Sequence, residues 1–468
     1  VYDRLELGKK IMARMLEFGM LPMQQGFSGH VPTSMKKMCP TAKILEKRKW
    51  CDFPKTAQLD PLDPLFARFG QVYLTKQKEL LGSYHFYATD PFHEGAPPKN
   101  SVAYLRKVGI AIEKLFKDFD EDAIWVMQSW SLRKPIVKAV SRDNLLILDI
   151  NSQKYKSCDN FWGYAFVTGY LHNFGGKNAL QGKIQSFCYN AYSALKEQGE
   201  NVVGSGLFME GTEQNPFVYD LLFEMLTKSG DMNLELFTKN YITRRYGRYN
   251  ETIAEAYGIL LKTCYSSSGD KENEVGSMVA ARPMYMPQKA SPCDNLIPFY
   301  DKEFFRKAAV MFASVSEQFA TSDGYQFDLM DFTRQAMSDL FYLNQVEYNR
   351  AAMQMDLEEV HQIASKQLEL LRDMDALLAT RSEVCLSRWI EDAHRLATTD
   401  ELKKYYDKCA RLLVTLWGDV SGISELFDYA WKEWSGLIAE YYLPRWKKFY
   451  DASEESISNG KLLSIPPK

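Results

Sequence analysis

The chain has 468 residues, 46% of them hydrophobic and 25% charged, with a formal net charge of −3. At roughly 150 residues per domain this length holds two or three domains with large cores, in the ordinary balance of a globular protein. The near-neutral charge excludes an electrostatic case for nucleic acid or an anionic membrane surface, and no apolar run approaches the roughly 18 residues of a membrane span.

In chain order, Leu5, Leu7, Ile11, Met15 and Phe18 mark one face of a helix that Gly19 ends. Six strand-like runs follow: Met20–Gln25, His85–Thr89, Ala123–Met127, Leu145–Ile150, Tyr164–Val167 and Val202–Leu207. Most are continuous apolar runs, as strands buried on both faces of a parallel sheet must be. The segments between several of them are long enough for a helix, Ala103 to Phe119 being one. Repeated βα units predict a (β/α)8 TIM-like barrel. A closed barrel needs eight strands, so the barrel is expected to be incomplete. The chain opens at Val1 inside an amphipathic pattern, and two further strands are expected upstream of it. After residue 231 the pattern turns helical. Leu357, Val360, Ala364, Leu368, Leu371, Met374 and Leu378 recur at spacings of three and four, while Ser266–Asn295, rich in Ser, Gly and Pro, reads as a long loop. The fold class is therefore α/β plus all-α: a catalytic barrel over residues 1–231, then an α-helical domain over 232–468.

Active sites of such barrels lie at the C-terminal strand ends. His30 follows the first run, His93 and Glu94 the second, Trp130 the third, and Glu210 the last. Taken singly, Glu94 and Glu210 are solvated loop carboxylates. Taken together at strand ends, they form a pair suited to acid–base work on a sugar, and some of the aromatic residues, 13% of the chain, are available to stack on it. A zinc set of His30, His85, His93 and Glu94 matches no ligand spacing, and His85 opens its strand and so faces the far end. His361 and His394 read as ordinary helix residues. Gly204-Ser205-Gly206 lacks the third glycine and the helix of a dinucleotide fingerprint. Eight cysteines without a CxxC pair give neither a zinc ribbon nor a disulfide scaffold.

The stretches GMLPMQQGFSGHVP (19–32), FYATDPFHEG (86–95), IWVMQSW (124–130), LHNFGGK (171–177) and GLFMEGTEQNPFVYDL (206–221) occur in one order. They are followed by YQFDLMDFTRQA (325–336), TLWGDVSGISELFDYAWKEWSGL (415–437) and YYLPRW (441–446). Together these resemble the α-N-acetylglucosaminidases of glycoside hydrolase family 89 along nearly the whole chain. The resemblance implies an exo-acting, retaining enzyme for terminal α-linked N-acetylglucosamine on heparan-type or mucin-type glycans. It implies Glu94 as general acid/base, Glu210 as nucleophile, and Trp50, Trp130, Trp417 and Tyr429 around the sugar. His93 precedes the acid in the manner of bacterial relatives, and His172 and Asn173 match a rim motif. The family's small N-terminal β-domain, its first barrel strands and its last helical segment have no counterpart here, and the named function belongs to the intact protein.

Retention requires two carboxyl groups about 5–5.5 Å apart, one protonated and one ionised. His and Trp neighbours are expected to desolvate Glu94 for the acid role. In an α-linked N-acetylglucosamine the acetamido group lies cis to the leaving group, so it cannot attack from behind. An enzyme nucleophile is then required, and Glu210 is the candidate. No cofactor or metal is called for, and the expected partner is the glycan itself; oligomeric state is left open. The expected compartment is extracytoplasmic (secreted or periplasmic) for a bacterial protein and lysosomal for a eukaryotic one. The competing readings are a non-catalytic carbohydrate-binding relative and a metal-dependent barrel hydrolase.

Overall fold

A computed structural model describes residues 2–464 apart from 48, 52, 151, 153, 186, 189–193, 195, 197–200, 212, 226–231, 268–273 and 419–425. The chain divides into two compact units, Val1–Tyr170 with Tyr189–Phe208, and Leu171–Cys188 with Met209–Lys468.

The first unit is built on a parallel sheet of six strands: β1 (Met23–Gln25), β5 (Phe86–Ala88), β6 (Ile124–Gln128), β7 (Leu145–Asp149), β8 (Ala165–Tyr170) and β9 (Val202–Leu207), in that spatial order. Three short strands, β2 (His30–Val31), β3 (Ile44–Glu46) and β4 (Ala57–Leu59), form an antiparallel sheet in the order β2-β4-β3. The six predicted runs are thus the six parallel strands, mostly with shifted bounds, β8 running three residues past Val167. Met20 to Pro22 lie outside β1, and Met20 and Leu21 are exposed. The apolar runs are buried because helices cover them: Tyr87, Trp125, Met127, Ile147 and Phe166 join Leu105, Val108, Ile112 and Phe116 of the helix Val102–Phe119 in one core. That helix starts at Ser101, whose side chain accepts from Tyr104 N. Sequential βα units leave the strands' C-terminal ends, and the loops that follow them, on one edge of the sheet.

The first helix, Tyr2–Glu17, buries none of its residues. Its predicted apolar face is not a core face: Leu7 is 48% and Ile11 51% exposed. A Cβ on Gly8 would lie 3.6 Å from Leu81, so the helix meets its neighbour Pro64–Leu81 through Gly8 instead.

The second unit is helical. Asp323–Met353 and Leu357–Leu378 pair along their length, and Leu443–Ser458 packs against the latter. The predicted loop contains no helix or strand among its described residues, yet much of it is interior: Glu274, Val275, Ser277, Met278 and Asp294 are buried. Buried loops must find partners for their polar groups, and the chain supplies them at long range. Arg334 Nε donates to Asp331 at 2.7 Å and its Nη1 to Glu433, whose Oε1 also accepts from Ser277 Oγ at 2.6 Å and Ser338 Oγ at 2.7 Å. Burying ions costs several kcal/mol each unless such a network is complete.

Candidate active site

In the first unit the loop after β5 carries Glu94. Phe92 and Glu94 both take left-handed backbone (φ 61° and 48°), so the loop turns sharply and the Glu94 carboxylate is exposed. Gly95 N–H closes the turn onto Phe92 O at 3.0 Å, and Arg133 Nη2 donates to Gly95 O at 3.1 Å. Where cover by His and Trp neighbours was expected, Glu94 is exposed. His93 turns to Ser131 Oγ (3.0 Å) and lies 3.9 Å from the Asp90 carboxylate, and Trp130 is half exposed. Asp90 lies in the same loop. Burial pushes it up to about 6, against the opposing pull of the Gln128 N–H and of His93. His30 receives Lys47 Nζ on Nε2 at 3.1 Å and so donates from Nδ1 to Ser28 Oγ at 2.7 Å. Burial first, then Lys47 and His93, lowers its pKa and keeps it neutral. Trp50 stacks on Phe53 at 6.0 Å and is 46% exposed. His85 stands at the N-terminal end of β5, paired to Asp120 at 2.9 Å. With Asp120 and Asp122 it makes the group that has metal-like spacing among the described residues, and His30, His93 and Glu94 do not.

In the second unit Glu210 is held by two donors on one oxygen: Gly175 N–H at 2.7 Å and Tyr429 O–H at 2.8 Å, both to Oε2. Among the described residues no hydrogen bond reaches Oε1. Tyr429 comes from 219 residues away and brings Trp417, whose ring lies 5.2 Å from its own. Burial, then the Glu210 charge, raises the Tyr429 phenol far above its ordinary range, so it stays a donor at any working pH. Gly175 and Gly176 have φ of 70° and 62°. A Cβ on Gly175 would meet Tyr429 O at 2.2 Å, and one on Gly176 would meet Gly211 Cα at 3.0 Å. Only glycine fits a left-handed turn pressed between these two backbones.

The segment that holds this turn is buried, and from Phe174 onward it is tied by hydrogen bonds and ion pairs. His172, fully buried, sits edge-on to Tyr219 at 5.2 Å, and its pKa is lowered to about 3 by burial, then Lys183. Asn173 is buried. Phe174 N–H donates to Glu274 at 3.1 Å, and Lys177 pairs with Glu274 at 3.3 Å and Asp294 at 3.7 Å. Burial pushes Glu274 up to about 7 against Lys177 and the Phe174 N–H. Asn178 exchanges hydrogen bonds with the Glu433 backbone at 2.9 and 3.1 Å. A cavity of about 640 Å³ opens beside Glu210, with Gly176, Trp389, Trp417 and Lys432 in its wall. That lies in the range of small-ligand pockets, roughly 300–1,000 Å³.

Sequence reasoning named Glu210, Trp417 and Tyr429, which meet in one cluster. It missed Gly175, Asp90 and Lys432. The signal for Lys432 is a charge set inside Ala430-Trp431-Lys432-Glu433-Trp434, where a solvated lysine would be out of place.

Both halves of the chain match one class of barrel protein with a fused helical domain. The family model of the α-N-acetylglucosaminidase TIM-barrel domain matches residues 1–229, and that of the C-terminal domain matches 237–464. The chain belongs to the α-N-acetylglucosaminidases of glycoside hydrolase family 89. It is 28% identical to human α-N-acetylglucosaminidase, covering 98% of this chain and 63% of that protein. The family 89 glycoside hydrolase of Clostridium perfringens, solved with PUGNAc, superposes with a TM-score of 0.93 at 30% identity. That match covers 99% of this chain and 54% of the other. The same enzyme, with two glutamates changed to glutamine, has been solved with its substrate GlcNAc-α-1,4-galactose at the same TM-score of 0.93. The chain thus spans less than two thirds of the length of these relatives. Among the described residues no helix is long and apolar enough to cross a membrane.

Proposed function

We propose that this chain carries the chemistry of a retaining exo-glycosidase that removes terminal, non-reducing α-linked N-acetylglucosamine from heparan-type or mucin-type glycans. Glu94 is the general acid/base, Glu210 the nucleophile, and Trp50, His93, Trp130, His172, Asn173, Trp417 and Tyr429 serve the sugar. The catalytic region is residues 1–231, and the helical region 232–468 contributes to the pocket. The compartment that fits is extracytoplasmic in a bacterial cell and lysosomal in a eukaryotic one.

The observation that carries the reading is the cradle around Glu210. Two donors fix one oxygen and leave Oε1 for the anomeric carbon. Such preorganisation removes the entropy cost of aiming the nucleophile. The substrate's geometry demands an enzyme nucleophile, since the acetamido group is cis to the α-linked aglycone. Attack by Oε1 breaks the glycosidic bond while Glu94 gives its proton to the departing oxygen. Water, deprotonated by the Glu94 carboxylate, then cleaves the β-linked ester and restores the α configuration. The substrate reported with the Clostridium enzyme supports the terminal sugar and its linkage.

The test is release of nitrophenol from 4-nitrophenyl α-N-acetylglucosaminide by the intact protein that carries these residues. Turnover is expected and should vanish in Glu210→Gln. A folded intact protein that is inert on this substrate, or a Glu210→Gln variant that keeps its rate, rejects the reading.

A further inference from the structure

Lys432 lies three residues after Tyr429 and is half-buried in the second unit. Its Nζ donates to Gly175 O at 2.9 Å and to Gly176 O. These are the two carbonyls of the left-handed turn whose other face presents Gly175 N–H to Glu210. Burial, then the nearby Lys177, pushes the amine down to about 7. A long cationic side chain held in this way loses part of its hydration and rotamer freedom. Its two carbonyl partners are where that loss is offset.

We propose that Lys432 is a positioning residue for the nucleophile: by fastening both carbonyls of the Gly175-Gly176 turn, it aims the Gly175 N–H at Glu210 Oε2 and so sets the direction of Oε1. The proposal rests on the reading of Glu210 as nucleophile. The mechanical logic is short. A peptide plane joins one residue's C=O to the next residue's N–H, so Lys432 pins the Gly175–Gly176 and Gly176–Lys177 planes. The Gly175 N–H is tied to the first of them only through the φ and ψ of Gly175, which in a left-handed glycine are soft unless both sides are held. The Gly211 and Tyr429 backbones bound it sterically, but van der Waals contact does not set the rotation of the peptide planes. Two hydrogen bonds from one ammonium do. Without them the turn reverts to its own conformational freedom, and a misplacement of about 1 Å at the nucleophile costs on the order of 100-fold in rate.

The test separates this claim from the one beneath it. The full chain is treated with a 5-fluoro α-glycosyl fluoride of N-acetylglucosamine, which traps the glycosyl-enzyme, and the labelled peptide is sequenced. A label on any residue other than Glu210, or none, overturns the underlying reading and this proposal with it. With Glu210 labelled, Lys432→Met should slow labelling by about 10- to 100-fold, while binding of free N-acetylglucosamine changes by less than about threefold. Lys432→Arg should recover part of the rate. Should Lys432→Met not fold, Lys432→Gln, whose amide keeps a donor for one carbonyl, is read in the same way. Labelling within about twofold of the parent rate in the folded variant overturns the proposal. So does slowed labelling matched by an equal loss of N-acetylglucosamine binding, which marks general damage to the pocket.

Discussion

Tyr429→Phe removes one oxygen and keeps the ring that packs on Trp417. The lost contact is the 2.8 Å hydrogen bond to Glu210 Oε2, while the Gly175 N–H at 2.7 Å continues to orient the carboxylate. The loss is therefore felt where the charge changes. In the ester intermediate Oε2 is uncharged; in the transition state for its hydrolysis the carboxylate regains its charge, and the phenol bond strengthens as it does so. A hydrogen bond to a charged group is worth about 1.5–3 kcal/mol, which corresponds to roughly 10- to 160-fold in rate. Hydrolysis of the intermediate should slow by that factor. On an activated aryl substrate kcat and KM should then fall together, with kcat/KM nearly constant. A rapid-quench experiment should show a burst of close to one equivalent of aryl alcohol. A kcat within about twofold of the parent, or a rise in KM without a burst, would show that the phenol does not act on Glu210 during turnover.

Three further outcomes are expected. Glu94→Ala should lose most activity on alkyl and sugar aglycones and keep the glycosylation step on dinitrophenyl leaving groups, which need no proton; an equal loss on both, read from a leaving-group plot, removes Glu94 from the acid role. Asp90, raised to about 6 from an ordinary 3.8, binds its proton more tightly folded than unfolded. Its stabilising protonated form is full below the unfolded pKa and is lost as pH rises through 6, so Asp90→Asn should raise stability at pH 8 by about 1–3 kcal/mol, and not at pH 4. A gain that is the same at both pH values in thermal melts sinks that account. Arg334→Met strands Asp331 and Glu433 together in the interior and should cost about 3–5 kcal/mol in urea denaturation; a loss below about 1 kcal/mol would show that the network is dispensable.

The parallel strands were legible because strands buried on both faces need continuous apolar runs, and Leu145–Asp149 and Val202–Leu207 have the bounds or nearly the bounds expected. The first helix was legible as a helix but not in its packing. Its 3.6-residue periodicity is local, whereas which face gets covered depends on distant chain. The same limit explains the buried loop around Glu274–Asp294: Ser, Gly and Pro signal irregular backbone, and its burial follows from Lys177, Arg334 and Glu433, far along the sequence. At the site, the carboxylates and aromatic residues stood out through strand-end position and family motifs. The exposure of Glu94 could not be read from its neighbours' identities, because it goes with the left-handed turn at Phe92 and Glu94. Lys432 was hidden because its role lies in which carbonyls it reaches, and side-chain reach leaves no periodic trace.

The most direct test of the central claim is the anomeric configuration of the first sugar released, followed by proton NMR within minutes of adding an aryl α-N-acetylglucosaminide to the full chain. Double displacement through Glu210 predicts that α-N-acetylglucosamine appears first and that the β anomer grows in only with mutarotation. The β anomer as first product would mean a single displacement by water, and would remove Glu210 from the role of nucleophile.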